Sequence, residues 1–333
     1  MSNNGEPLFE AFLNKHNGQA WGEIIDALEP YIHEVDRAAT RIWFFFFPLS
    51  LARALQQAED PEQLARKLLL NGRYLLKDQI DSSHTFLYGH RYWPEAKSAV
   101  ATLAASSGAP ASLDLAAQIR DVAREVATRL KVDESLLVGI TAVAFMTLQQ
   151  VGASAFKAST AVLKKAGAKT PQQILSERAH DDKQGLFSFL KPDKIFTVTF
   201  DEHDPEARFK LISSQHVTTA AAQDKREYHS REPRCIVGEG PIPVECRSAS
   251  CGTCWVGVLG GAEKLSEVPE LEGRRIKEFG YIDTEDPKPL IRLACQAQAF
   301  GAVSIVIPPW NGVFGKFFSG YRSLLEEAEL SDS

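Results

Sequence analysis

The sequence predicts an α+β multidomain protein, with an all-α N-terminal domain followed by a domain built on strands. Three observations carry that prediction. From residue 8 to about 180, apolar residues recur at intervals of three and four, with capping residues where each run begins. After Pro192 the period changes to two. The second part also gathers four cysteines, three in Cys246-Arg-Ser-Ala-Ser-Cys251-Gly-Thr-Cys254 and a fourth in Arg292-Leu-Ala-Cys295-Gln. At 333 residues the chain is long enough for two domains.

Residues 1–185 read as the helical domain. Ile119, Val122, Val126 and Leu130 form one apolar stripe. Asp60-Pro61 places an N-cap before a first-turn proline, with Gln63 in the reciprocal position, and Thr170-Pro171 repeats the signal. Ser112 and Asp133 are further candidate N-caps, and Gly72, Gly108 and Gly167 are candidate stops. Seven or eight helices and no strand are expected. The apolar runs from Ile42 to Leu49 and from Leu136 to Met146 fall short of the roughly 20 residues of a membrane span. Buried helices account for both, and Phe44–Phe47 is read as core in preference to a membrane-surface patch.

Two constellations in this domain were weighed as sites. Ser83 to Pro94 is rich in polar aromatics and contains His84 and His90. Six residues apart, the histidines fall on different faces of one helix, so a shared metal would need a loop between them. The expectation is therefore a helix–helix corner whose ring edges meet backbone groups, over a ligand pocket. Glu177-Arg-Ala-His180 is a single E-x-x-H, whereas a di-iron bundle site needs two with further carboxylates.

Asp181 to Gly185 is polar and reads as a linker. Beyond it, Ile195–Phe200 and Arg208–Ile212 read as an opening pair of strands around an acidic turn, with Trp255–Leu259 and Ala302–Ile307 as later strands. The tail 309–333 carries Trp310, Phe314, Phe317, Phe318 and Tyr321, too many rings for a solvated end. It is expected to pack back on the body, against the helical domain, and to end in a short helix near Tyr321–Glu327.

The C-x4-C-x2-C spacing with a distant fourth cysteine is the ligand pattern of a plant-type 2Fe-2S cluster. Each iron needs two thiolates beside the bridging sulfides, so three ligands in one short loop force that loop to curl. Ser248, Ala249, Ser250, Gly252 and Thr253 are small enough to allow it and to turn N–H groups toward sulfur. A zinc site would more often use paired C-x2-C knuckles, and only one such pair exists. Disulfides would require an oxidising compartment. The start, Met1-Ser-Asn-Asn-Gly-Glu-Pro, shows no basic segment before an apolar core, so no secretory leader is expected. Cys235, the odd cysteine, reads as a buried inert thiol.

These motifs resemble a plant-type 2Fe-2S ferredoxin domain over roughly residues 193–308. The stretches that carry the resemblance are Ile242 to Val258, Leu265-Ser-Glu, Arg292-Leu-Ala-Cys-Gln and Gly301 to Pro308. The resemblance implies a β-grasp fold, a mixed sheet crossed by a helix, with Cys246, Cys251, Cys254 and Cys295 as the ligands. Two departures stand out. Forty residues separate Cys254 from Cys295, the excess lying in the charged stretch Glu270–Lys288. The helix that usually precedes the ligand loop is not visible, and Tyr228 to Pro241 stands in its place. No family resemblance is drawn for residues 1–180.

Net charge is −6, which gives no support to nucleic-acid binding. No G-x-G-x-x-G opening a helix and no Walker-type phosphate loop is present, so no nucleotide or flavin module is expected. The expectation is an electron-transfer protein of the cytoplasm rather than an enzyme, exchanging single electrons with redox partner proteins, a reductase and an acceptor. The helical domain would recognise the partner, cover the cluster or hold a homodimer. Two alternatives are an enzyme whose helical domain is fed electrons by the cluster, and a redox sensor. The resemblance implies that acidic residues between the third and fourth ligands steer basic partners, which puts Glu270, Glu272 and Glu278 on the docking surface; the alternative is a solvated surface with no partner.

Overall fold

A computed structural model describes residues 8–106, 114–159, 169–180, 194–281 and 286–315. The chain divides into two compact units, one formed by 1–56 and 75–172, the other by 57–74 and 173–333.

The first unit is helical. Its described helices are α1 (Leu8–Asn14), α2 (Gly18–Leu28), α3 (Glu34–Phe46), α4 (Leu49–Gln57), α6 (Trp93–Ala105), α7 (Leu115–Leu130), α8 (Ser135–Val151) and α9 (Ala153–Ala158). The centre is α8, buried on every side from Leu137 to Leu148, because its sequence is apolar around the whole circumference. Helices α3, α6 and α7 pack on it. The predicted stripe lies on α7, where Ile119, Val122 and Val126 are buried and Leu130 is half-buried. Asp114 caps α7 by accepting from the amides of Ala116 and Ala117, and Asp133 accepts from the Ser135 amide at the start of α8. Ser112, Gly108 and Gly167 lie outside the described residues. Phe46 and Phe47 join the core, whereas Phe44 and Phe45 are only half-buried.

With α5 (Pro61–Lys67) and α10 (Pro171–Ala179), ten α-helices are described before residue 180, against the seven or eight expected. Short helices such as α1, α5 and α9 contain too few turns to show a periodic stripe. Asp60 caps α5 through the Gln63 amide, as its sequence predicts.

The second unit is a mixed five-stranded sheet. Its strands are β2 (Ile195–Thr199), β3 (Arg208–Ile212), β4 (Trp255–Gly260), β5 (Ile291–Leu293) and β6 (Val303–Val306), in the order β3-β2-β6-β4-β5. Strand β2 runs antiparallel to β3 and parallel to β6, while β4 runs antiparallel to both β6 and β5. Strands β4 and β6 are buried on both faces, and β3 alternates as an edge strand should. A five-residue helix, α11 (Val217–Ala221), packs on β3, and α12 (Glu270–Phe279) packs on β5. The helix hidden from the sequence is thus α11, too short to show a period.

Segment 57–74 belongs to this unit through main-chain pairing. Strand β1 (Asn71–Gly72) pairs with β7 (Trp310–Asn311), and the Arg73 amide donates to the Pro309 carbonyl at 2.7 Å. Buried Arg234 ties the same corner, donating to the Pro308 carbonyl at 2.6 Å and to Asn311 Oδ1 at 3.3 Å. The described part of the aromatic tail packs within this unit. Trp310 lies 5.2 Å from Trp255 and 5.6 Å from Tyr281, ring centroid to centroid, and its carbonyl accepts from the Trp255 indole at 2.7 Å. The helix expected near Tyr321–Glu327 lies outside the described residues.

Candidate metal centre

The four predicted cysteines are brought together by one loop and one strand pairing. The loop from Cys246 to Cys254 curls because three residues take left-handed conformations: Arg247 (φ 54°), Ala249 (φ 60°) and Gly252 (φ 73°). At Gly252 only glycine fits, since a Cβ would come within 2.9 Å of the Phe279 and Tyr281 rings. Tyr281 is fixed in turn, its hydroxyl donating to the Gly312 carbonyl at 2.6 Å and accepting from the Gly312 amide at 2.9 Å. The fourth cysteine is placed by register. Trp255 of β4 pairs with Leu293 of β5, and the Ala294 amide donates to the Cys254 carbonyl at 3.0 Å. Cys254 and Cys295 therefore meet just beyond the ends of adjacent strands.

The thiols meet two by two. Cys246 lies against Cys251, and Cys254 against Cys295, close enough for each thiol to shift its partner's titration. The Cys254 thiol brings Cys295 down to about 6, helped by the Gln296 amide and the Ala249 N–H. The Cys295 thiol, then burial, drives Cys254 well above the usual thiol range. In the other pair, burial raises Cys251, while N–H donors outweigh burial at Cys246 and lower it. Among the described residues no three His, Cys, Asp or Glu side chains converge as on a single ion. Two sulfur pairs are instead what a two-iron cluster requires, one pair per iron.

Donors aimed at sulfur complete the fit. The amides of Ser248 and Ser250 donate to Cys246 Sγ at 3.5 and 3.2 Å, and Gln296 Nε2 donates to Cys295 Sγ at 3.3 Å. Such bonds stabilise thiolate and tune cluster potential. Cys254 and Cys295 are buried, while Cys246 and Cys251 are half-exposed, so the Cys246–Cys251 side lies nearer to solvent.

One residue at the site was read wrongly from sequence. Glu272 is not on a docking surface. It is fully buried on the inner face of α12 with Ile276 and Phe279, and it accepts from Arg292 Nε and Nη2, each at 2.9 Å. It also accepts from the Leu293 amide at 2.7 Å. Glu272 thereby holds β5, the strand that presents Cys295. The signal was present in the sequence: 272, 276 and 279 share one helical face, and Arg292 in a buried strand needs a counter-charge. The charges facing out from α12 are mixed, with Glu270, Arg274 and Lys277 exposed and Glu278 half-buried against Arg275.

Cys235 stands apart from these thiols. It donates to the Pro241 carbonyl at 3.2 Å, and burial pushes its pKa up to about 12, as befits an inert thiol.

The histidine pair also differs from expectation. Residues 81–92 form turns and a 3-10 segment (Tyr88–Tyr92) instead of a single helix, so His84 Nδ1 comes 2.9 Å from His90 Nδ1. His84 is buried with its ring 3.8 Å from that of Trp93, and the ring edges there meet side chains, Trp93 donating to Asp81 and Trp43 to Ser83. Glu177 and His180 line a cleft of the second unit, beside the Arg178–Glu202 ion pair.

Residues 236–299 match the model of the 2Fe-2S iron-sulfur cluster binding domain family. No solved structure matches the chain. The C-terminal region thus carries a 2Fe-2S domain, and the helical N-terminal region is assigned to no family. No described helix is long and apolar enough to cross a membrane.

Proposed function

We propose that the chain is a one-electron carrier whose 2Fe-2S cluster is ligated by Cys246, Cys251, Cys254 and Cys295. The observation that carries this reading is the meeting of those four thiols as two pairs inside a matched cluster-binding domain. When bound, the cluster supplies a single electron-accepting centre. The chain's own residues hold the thiolates, direct N–H groups of Ser248, Ser250 and Ala249 toward sulfur, and bury the Cys254–Cys295 side. The partners are a reductase and an acceptor that dock over the half-exposed Cys246–Cys251 side. The helical unit selects the partner or holds a second copy, in the cytoplasm. Stoichiometric reduction tests this reading, with one electron expected per chain and rapid reoxidation by a one-electron acceptor such as cytochrome c. Uptake of two electrons, or of none, contradicts it.

A further inference from the structure

A half-open cleft of about 390 Å³ lies in the helical unit between α2, α3 and α4, within the range of roughly 300–1,000 Å³ typical of small-molecule sites. Its floor is Trp21, Ile25, Phe47 and Met146, all buried. Phe44 and Phe45 line it while remaining half-exposed, although they sit inside the most aromatic run of the chain.

The mouth is kept open by two glycines one helical turn apart on α2. A Cβ built on Gly18 or Gly22 meets nothing within 4 Å, so neither glycine is there to avoid a clash. Within a helix interior, glycine is less favourable than alanine. The structural return for that cost at Gly22 is an unobstructed approach to the helix backbone. At the rim, Arg41 is committed to two carboxylates, bonding Asp26 at 2.8 Å and contacting Glu29. No positive charge is left over for an anion, and the lining is predominantly aromatic and apolar.

We propose that this cleft binds a small molecule that carries no negative charge and is built on a flat apolar ring system. The glycine side admits a flat face against the backbone. The half-exposed Phe44 and Phe45 rings, Phe44 backed by Trp21 at 5.5 Å between centroids, are the aromatic surface that a flat guest would meet. The inference concerns the helical unit alone and stands whether or not the cluster reading holds.

The test is titration of the full-length protein with 1-aminoanthracene, a flat neutral fluorophore, followed by its emission. Saturable binding of one molecule per chain is expected. Gly22→Leu places an isobutyl group in the cleft and should weaken binding at least about tenfold, equivalent to some 1.4 kcal/mol. The circular dichroism and melting temperature should be retained. If that variant does not fold, Gly18→Leu obstructs the same mouth near the helix start. Absence of saturable binding, or equal affinity in wild type and variant, overturns the proposal. So does sedimentation showing a dimer that Gly22→Leu dissociates, since a second copy would then be the occupant.

Discussion

Glu272→Ala removes the carboxylate that neutralises Arg292 inside the second unit. Three hydrogen bonds disappear at once, two from the guanidinium and one from the Leu293 amide. Arg292 keeps the Ser266 carbonyl at 2.7 Å, which offers a dipole but no charge. A buried ion pair deprived of one partner typically costs about 3–5 kcal/mol, because the remaining charge stays desolvated. The loss should be local in origin, since the freed segment of β5 is the one that ends at Cys295. Chemical denaturation followed by far-UV circular dichroism, with visible cluster absorbance as a second probe, measures both consequences. The midpoint should fall by an amount equivalent to about 3–5 kcal/mol, and the cluster should bleach faster at ambient temperature. The double variant Glu272→Ala/Arg292→Met removes the stranded charge and should recover much of the loss. A single variant within about 0.5 kcal/mol of wild type, the ordinary range for a surface change, would refute the assignment of Glu272 to the interior.

Gly252→Ala should destabilise the cluster loop by about 1–3 kcal/mol, from the left-handed backbone and the overlap with Phe279 and Tyr281, read by thermal melting of the cluster band. Cys235→Ser should leave the iron and sulfide content unchanged, because that thiol faces the Pro241 carbonyl and not the other sulfurs. Burial, then the neighbouring His90, keeps His84 neutral well below its ordinary pKa. The unfolded chain therefore takes up a proton that the folded chain refuses once pH drops below about 6.5, and stability is lost from there downward at up to about 1.4 kcal/mol per pH unit. His84→Gln should flatten that slope in denaturation curves between pH 7 and 5, and an unchanged slope would show that other groups set it. An EPR-monitored titration should give a midpoint on the order of −400 to −200 mV, as four thiolates without histidine imply, and a value above zero would point to other ligands.

The division into a helical and a strand-bearing part was legible because the two periods differ and change at one place. So was the 2Fe-2S domain, since a cluster dictates both residue type and spacing. Segments whose partners lie far away in sequence were not legible. Strand β5 has three residues and no visible alternation, and it is recognised only through its register with Trp255. Nothing in residues 57–74 announces that two of them pair with Trp310–Asn311. His84 and His90 were separated by assuming a helix where Ser83–Pro94 turns instead, with the Asp36 carboxylate accepting from the Tyr88 and Gly89 amides. The interior place of Glu272 is hidden by the run of charge around it, because only the helical face of α12 that each residue occupies separates it from the exposed charges.

Iron and acid-labile sulfide content, with the EPR spectrum of the dithionite-reduced protein, tests the central claim most directly when measured on wild type and on single alanine variants of all five cysteines. Wild type and Cys235→Ala should each hold two irons and two sulfides with the signal of a reduced 2Fe-2S centre, while the variants at Cys246, Cys251, Cys254 and Cys295 should lose it. A Cys254→Ala protein that keeps its cluster beside a Cys235→Ala protein that lacks one would contradict the account.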